Sequence, residues 1–490
     1  MNGSHLDRVR QVADQLAARS PGSKITIRKA TPSHSIRDPS YKAAGHPVDV
    51  SGLCNILCID VEARRAMVEG QVLIGDLSKA TLTHGLVPAV VPEFRKFTIA
   101  GLINGEGIQS SSHRHGLFTH TVQSMEVLLA SGQTIEVSTS AHVDLFAALP
   151  ESLGTLGIIT AATIDLVPAR PYVEITYRRF TSLRAYLDAF RESLGQTAFH
   201  EGVIFGPRMQ VLITGEFVDQ PGAHRLVTEV PGAPYFYQRA RSVAAASRAV
   251  THEVMQTLSY LSRSERGMWW LMECHADFPL LSETRWGRRY MDKVAAATYD
   301  RSGFASRDLT TLERDRCLVT QDIGVTLERL GDGVEWVQQH LGVYPIWNCA
   351  ARLSENTRNR VGTSHLVDIG VYGEPMVDGY QHIRDMRALQ RMADSPSLWG
   401  VSYLPWEEIT SANPARYARY EQARQTYGAD GAFMHLKDKV VWVDPDQPDR
   451  GKIPFWRLHR SFGRRWYLNP AVYPLFVVAQ ISKLVWRSKP

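Results

Sequence analysis

The chain has 490 residues, of which 44% are hydrophobic and 21% charged, a composition that supports a substantial core and, at this length, two to three domains. A formal net charge of +5 is small for the size, and no basic-aromatic recognition motif accompanies it, which excludes nucleic acid as the expected partner. Five scattered cysteines, Cys54, Cys58, Cys274, Cys317 and Cys349, supply neither a disulfide framework nor a zinc-ligand set, and read as buried free thiols of a reducing compartment.

The first stretch, Leu6–Ala18, is amphipathic and charged. It lacks the apolar centre of a signal peptide, so the cytoplasm is the expected location. Onward to Pro168, short β-like runs alternate with helical ones. Lys24–Ile27, Ile56–Asp60 and Ala66–Val68 read as strands, being apolar or β-branched and bounded by polar residues. Ile74–Thr83 reads as a helix stopped by Gly85. Ser124–Leu129 and Thr134–Val137 form a hairpin pattern about Ser131-Gly132, and Ile158–Leu166 is a long apolar strand. This mixture predicts an α+β layer structure. From Tyr172 to about Val401 the pattern shifts to longer helices and aromatic clusters, with strands at Val203–Phe205, Val211–Thr214, Leu341–Ile346 and Leu366–Val371. Trp406–Tyr427 is helical again, interrupted by Pro414.

These shifts divide the chain into residues 1–168, 169–440 and 441–490. The last carries Lys452, Arg457, Arg460, Arg464, Arg465, Lys483, Arg487 and Lys489 and, from Gly451 on, no carboxylate side chain. Its apolar run Ala471–Trp486 is shorter than the roughly 20 residues of a transmembrane helix. Basic flanks and Trp466, Tyr467 and Trp486 suit a segment lying on the cytoplasmic face of an anionic membrane. Packing on the protein's own surface or on a partner subunit is the alternative, and the sequence does not indicate an oligomeric state.

Chemistry concentrates in Thr98–Gly116, where Gly101, Gly105, Gly107 and Gly116 accompany Ser110, Ser111 and Ser112. Small residues so dense read as a loop whose backbone N–H groups approach a ligand, and a pyrophosphate suits such converging dipoles. His113 and His115 flank the serines, facing either the ligand or the loop's own hydrogen bonds. A second segment, Gly154-Thr-Leu-Gly157-Ile158-Ile159, runs directly into a strand and would set peptide groups beside a flat ring. Neither segment fits the Walker or GxGxxG pattern, and no metal-ligand set is evident.

In order and spacing, Val68–Leu77, Thr98–Gly116, Met125–Gly132 and Gly154–Thr160 resemble the successive landmarks of the PCMH-type (vanillyl-alcohol-oxidase-like) FAD-binding flavoproteins. Within them the resemblance is to the delta-24-sterol reductases. It rests on Val91-Pro-Glu-Phe94, Gly107–His120, Gly154–Gly157, Val343-Tyr-Pro-Ile-Trp347 and Asp368-Ile-Gly-Val-Tyr-Gly-Glu-Pro375, and covers Gly22 to Tyr427. The resemblance implies a PCMH-type FAD-binding domain over 1–168 and an α+β substrate domain with an antiparallel sheet over 169–440, its C-terminal part returning to the first. It implies FAD held by Gly101, Gly105, Gly107, Ser110, Ser111, Ser112, His113, Gly116, Gly154, Gly157, Ile158 and Ile159. The FAD would be dissociable, since the region of His34 lacks the Gly-rich form of covalent relatives.

By the same resemblance NADPH is the electron donor, and the substrate is an isolated carbon–carbon double bond in a sterol or other isoprenoid lipid. Such a bond has no carbonyl to take up charge, so its reduction needs an acid or a cation-stabilising site. Candidates for that work are Glu374, Asp368, Tyr344 and Arg263, with Glu273 beside them. Tyr235, Tyr237, Tyr260, Trp269, Trp270, Tyr344, Trp347, Tyr372 and Tyr403 are candidates to line an apolar pocket. Two alternatives stay open at this stage: an FAD-dependent oxidase or dehydrogenase of an alcohol or saturated chain, and a lipid-binding protein that keeps the fold without the chemistry.

Overall fold

The computed structural model describes residues 4–31, 42, 45–271, 273, 282–302, 318–354, 362–394 and 402–440; His34 and the tail 441–490 lie outside them. The chain is α+β. Its first sheet runs β3 (Ile56–Asp60), β4 (Arg65–Glu69), β8 (Ile158–Pro168), β6 (Val122–Leu128) and β7 (Thr134–Ser138), with β5 (Leu86–Pro88) on the far end of β8. All these pairs are antiparallel. The long apolar run of β8 follows from its place: with β4 and β6 on its two sides it is the centre of the sheet, buried on both faces over Ile158–Ala162. The β6–β7 hairpin turns at Ser131-Gly132, Gly132 taking φ +86. Alongside stand the parallel pair β1 (Ile25–Arg28) and β2 (His46–Asp49), α1 (His5–Ala17), opened by a Ser4/Asp7 capping box, and α2 (Ile74–Leu82), the helix expected before Gly85.

The second sheet has eight strands in the order β12 (Leu226–Val227), β13 (Val250–Gln256), β9 (Tyr172–Phe180), β11 (Met209–Val218), β10 (Phe199–Gly206), β15 (Ile346–Arg352), β16 (His365–Gly373) and β14 (Val319–Thr326). Every pair is antiparallel except β12 with β13. Period-two alternation gives the sheet two unlike faces. One carries Ile204, Leu212, Ile323, Val325, Ile346, Val367, Ile369 and Val371, and is covered by the helices Leu183–Glu192, Leu330–His340 and His382–Met392 in a single apolar cluster. The other carries Glu201, Trp347, Cys349, Asp322, Asp368 and Tyr372. In the register Asp368 stands opposite both Cys349 and Gly324, and Gly370 opposite both Trp347 and Asp322.

That polar face is turned toward the first sheet's layer. The His200 N–H donates to the Ser110 carbonyl (2.8 Å), and His365 Nε2 is 2.9 Å from the His113 carbonyl oxygen. The helices Trp406–Ala412 and Pro414–Thr426 meet at Asn413, as the proline predicts. The chain then packs back on its own beginning, the Ile25 N–H donating to the Ala432 carbonyl (2.8 Å) and Arg424 reaching the Thr155 carbonyl (3.1 Å).

Three expectations are corrected. Leu341–Ile346 is not a strand: Gly342 at φ +61 turns the chain out of the helix Leu330–His340, and β15 starts only at Ile346, after Pro345, which has no N–H for a ladder. Cys54 and Cys58 are exposed, on an edge of the first sheet where nothing covers them, and only Cys349 is buried among these three. The antiparallel sheet expected after Tyr172 has eight strands among the described residues rather than the four read from sequence, because strands buried on both faces, such as Ile346–Arg352, show no period-two alternation.

Candidate active site

The stretch expected to be an open loop is mostly helix. Residues Ile99–Gly105 form α3, capped by Thr98, whose Oγ1 accepts from the Gly101 N–H (3.1 Å). α3 sits against the start of β8 because Gly70 leaves room: a Cβ there would lie 2.2 Å from the Ile159 carbonyl oxygen and 3.2 Å from the Ala100 Cβ. Asn104 fastens the second glycine segment to this helix. Its Oδ1 accepts from the Gly154 N–H (3.0 Å) and from Ser152 Oγ (3.0 Å), while its Nδ2 donates to the Ala100 carbonyl (2.8 Å). Gly154 takes φ +70 to make that contact.

The serines have other partners. Ser111 Oγ donates to the Ala89 carbonyl (2.8 Å), Ser112 Oγ accepts from the Gln109 N–H (3.0 Å), and Ser110 Oγ accepts from Arg263 (2.9 Å). All three are buried, as is His113, whose Nδ1 accepts from the Gly195 N–H (3.0 Å). Burial, assisted by His200, lowers His113 to about 3, so its imidazole is neutral. Gly116 is closed off as well, since a Cβ would lie 2.2 Å from His120 Nδ1. Ser110, Ser111, Ser112, His113 and Gly116 therefore lie outside the cleft described next; Ser110 and His113 bond across to the second layer, while Ser111 and Ser112 bond within the first.

Between the layers runs a cleft of about 250 Å³ that opens to solvent, near the lower end of the roughly 300–1,000 Å³ of small-molecule sites. Gly101, Gly105, Gly107, Gly154, Gly157, Ile158 and Ile159 line it. So do Lys29, Lys42 and Lys439. Toward the second sheet its walls are Trp269, Leu271, Trp347 and Tyr372, with Phe94 and Phe97 from the first layer.

Four carboxyl groups line the same cleft, Glu93, Asp322 and Asp368 together with Glu106 at the α3 end. Asp368 is 2% exposed, and neither carboxyl oxygen has a hydrogen-bond partner among the described residues. Burial first, then the negative charges of Asp322 and Glu93, hold its pKa well above the usual carboxylate range. Burial likewise pushes Glu93 up to about 8, Asp322 adding to the effect and Arg263 opposing it. Tyr372 donates its hydroxyl to Asp322, its ring taking the space that Gly370 leaves: a Cβ on Gly370 would be 2.9 Å from the Tyr372 hydroxyl. At the α3 end the Glu106 carboxyl is raised by burial, Arg416 opposing, and accepts from Thr119 (3.0 Å).

Of the acid candidates read from sequence, Asp368 alone lines the cleft. Arg263 lies behind it, 1% exposed, paired with Glu201 (2.7 Å) and stacked 4.1 Å from the centre of the Tyr260 ring. Tyr344 and Glu374 flank β15 and β16 outside the lining, at the strand ends where the polar face stops. Glu273 holds Arg241 (3.2 Å) and Gln238 (3.1 Å) away from it. Among the aromatic candidates Trp269, Trp347 and Tyr372 face the cleft, whereas Tyr235, Tyr237, Tyr260, Trp270 and Tyr403 are buried in the packing around it. Sequence reasoning passed over Asn104, Glu93, Asp322 and the three lysines. Only Glu93 carried a signal, through its Val91-Pro-Glu-Phe94 setting.

Residues 7–138 match the family described as FAD binding domain. That span holds β1 to β7, α3 and the serine run, so the fold and the cleft define an FAD-linked oxidoreductase carrying a PCMH-type FAD-binding domain. More particularly, the chain is similar along most of its length to proteins named Delta(24)-sterol reductase. It is 29% identical over 488 residues to that of Pisum sativum, with 88% of this chain and 83% of the other covered. It is 28% identical over 458 residues to that of Homo sapiens, with 89% and 86% covered. The Cytokinin dehydrogenase 7 of Oryza sativa is 33% identical over 159 residues, but only 32% of this chain is covered.

The residues fit the cofactor. The cleft borders both glycine segments and the start of β8, and Gly154 holds a positive φ that a side chain would strain. Lysines at the α3 end and apolar and aromatic groups farther along match a molecule with a charged middle and a flat ring.

Proposed function

We propose that this oxidoreductase uses NADPH and dissociable FAD to reduce an isolated carbon–carbon double bond in a sterol or other isoprenoid lipid. The observation that carries the reading is Asp368, a buried carboxyl without a hydrogen-bond partner among the described residues, facing an aromatic cleft beside two further carboxylates.

When bound, FAD supplies hydride chemistry. The chain's own groups supply what an unactivated alkene lacks. Asp368, held protonated near neutral pH by burial and by Asp322 and Glu93, gives its proton to one alkene carbon. Positive charge then develops on the other carbon. Asp322 and the faces of Trp269, Trp347 and Tyr372 border the space where it forms. A carboxylate within about 4 Å of such a centre is worth roughly 4 kcal/mol at an effective dielectric of 20, and an aromatic face about 2 kcal/mol more when desolvated. Together these are worth about four decades of rate. Phe94, Phe97 and Leu271 keep water from the charge and favour a lipid over a polar substrate.

The oxidative alternative would need a base, and a carboxyl held protonated is a poor one. The similarity to sterol reductases over most of the chain supports the reductive direction, as it does a lipid substrate. The test is anaerobic: NADPH should bleach the bound flavin, and desmosterol or a prenyl lipid should restore its colour. Bleaching by a saturated lipid or an alcohol without NADPH would instead make the protein a dehydrogenase.

A further inference from the structure

The cleft carries charge of both signs. Asp322 and Asp368 line it from the second sheet, while Lys29, Lys42 and Lys439 line it together with α3 and with Glu106, whose carboxyl burial pushes toward its neutral form. Lys29 directly follows β1, and its Nζ lies 3.9 Å from where a side chain at Gly101 would begin. Lys439 comes from the helix Leu436–Val440, and its Nζ donates to the Leu153 carbonyl (2.9 Å). The Leu153 N–H in turn donates to the Asn104 carbonyl in α3 (3.1 Å). Lys29 and Lys439 thus reach the two glycine segments from opposite ends of the sequence, and the charge of Lys42 acts on both.

Resting on the FAD assignment, we infer that Lys29, Lys42 and Lys439 form the subsite for the diphosphate of FAD, which makes the C-terminal helix a working part of the cofactor site. The family match ends at residue 138 and does not reach this helix. Burial lowers Lys29 to about 8 and Lys439 to about 7, with Lys42 adding to both and Arg424 to Lys439. Burial disfavours the charged form of Lys29 and Lys439, and an entering anion favours it. A diphosphate is an anion of the right size and charge, and the glycines beside it leave backbone accessible.

The test uses the full chain with its flavin removed, titrated with FAD and with riboflavin, which has the ring but no phosphate. In Lys439→Gln the dissociation constant for FAD should rise about tenfold, the loss of one charged contact, while that for riboflavin stays within about twofold. Lys439→Arg should restore most of the FAD affinity. Calorimetry in two buffers at pH 8 should show proton uptake when FAD binds, as the diphosphate returns charge to Lys439 and Lys29, and less uptake in Lys439→Gln. Equal weakening of FAD and riboflavin, or unchanged FAD binding, would overturn the subsite while leaving the cofactor assignment standing. A wild-type chain that takes up no FAD would overturn the assignment itself.

Discussion

The state of Asp368 is set by its surroundings. On β16 it faces inward between Cys349 and Gly324, neither of which offers it a charge partner, and two carboxylates border the same space. A group so placed keeps its proton, and activity depending on it should be present at low pH and fall as pH rises through its elevated pKa. Asp368→Asn, nearly isosteric, should retain FAD yet lose at least about a hundredfold in turnover, the lower range for a general acid; stopped-flow flavin reoxidation measures this. Glu93 has a consequence for stability. Its folded pKa of about 8 exceeds the ordinary 4.5, so the folded state binds more protons between those values and stability falls as pH rises across that window. Glu93→Gln should flatten that decline, so that calorimetry finds the variant gaining on the wild type from pH 5 to pH 8. An unchanged difference across the window would mean the carboxyl is not held neutral.

At the scale of elements, the site depends on how α3 is tied to the start of β8. The Asn104 side chain makes two ties to the segment leading into β8, at Ser152 and Gly154, and one back to Ala100 within α3. Asn104→Ala leaves the Gly154 N–H without that acceptor, at a cost of about 1–3 kcal/mol, and should lower both the melting temperature and the affinity for flavin. Fluorescence titration of riboflavin is the sensitive readout, because the ring rather than the phosphate would lose its support. Much of this was legible in sequence. The glycine segments, the long β8, the β6–β7 hairpin and the break at Pro414 all follow from local rules of turn, period and cap. The serines misled because three consecutive small polar residues look the same whether they face a ligand or, as Ser110, Ser111 and Ser112 do, bond to Arg263, Ala89 and Gln109. Lys29 and Lys439 could not be joined from sequence, since their meeting depends on the C-terminal chain packing against Ile25, and no local pattern records that.

For the whole molecule, the question is what holds the two layers at the spacing the cleft needs. Arg263 and Glu201 form the buried tie, with Arg263 reaching Ser110 and Gln109 of the first layer and Glu201 accepting from Trp347 Nε1 (2.9 Å) in the second. Arg263→Met strands the Glu201 carboxylate and should cost about 3–5 kcal/mol, whereas adding Glu201→Gln should recover part of it, because a neutral partner is easier to bury alone. Urea unfolding of the single and double variants measures both. A double variant no more stable than the single would show that the pair does not couple. Among the described residues no helix is long and apolar enough to cross a membrane.

The central claim is that Asp368 hands a proton to a carbon–carbon double bond. Pre-reduced enzyme mixed anaerobically with desmosterol in heavy water measures this most directly. The wild type should return the saturated side chain with solvent deuterium on the former alkene carbon that took the proton, together with oxidised flavin, and Asp368→Asn should return neither within the same interval. A product formed at equal rate by the variant, or a saturated product without solvent deuterium, would contradict the account.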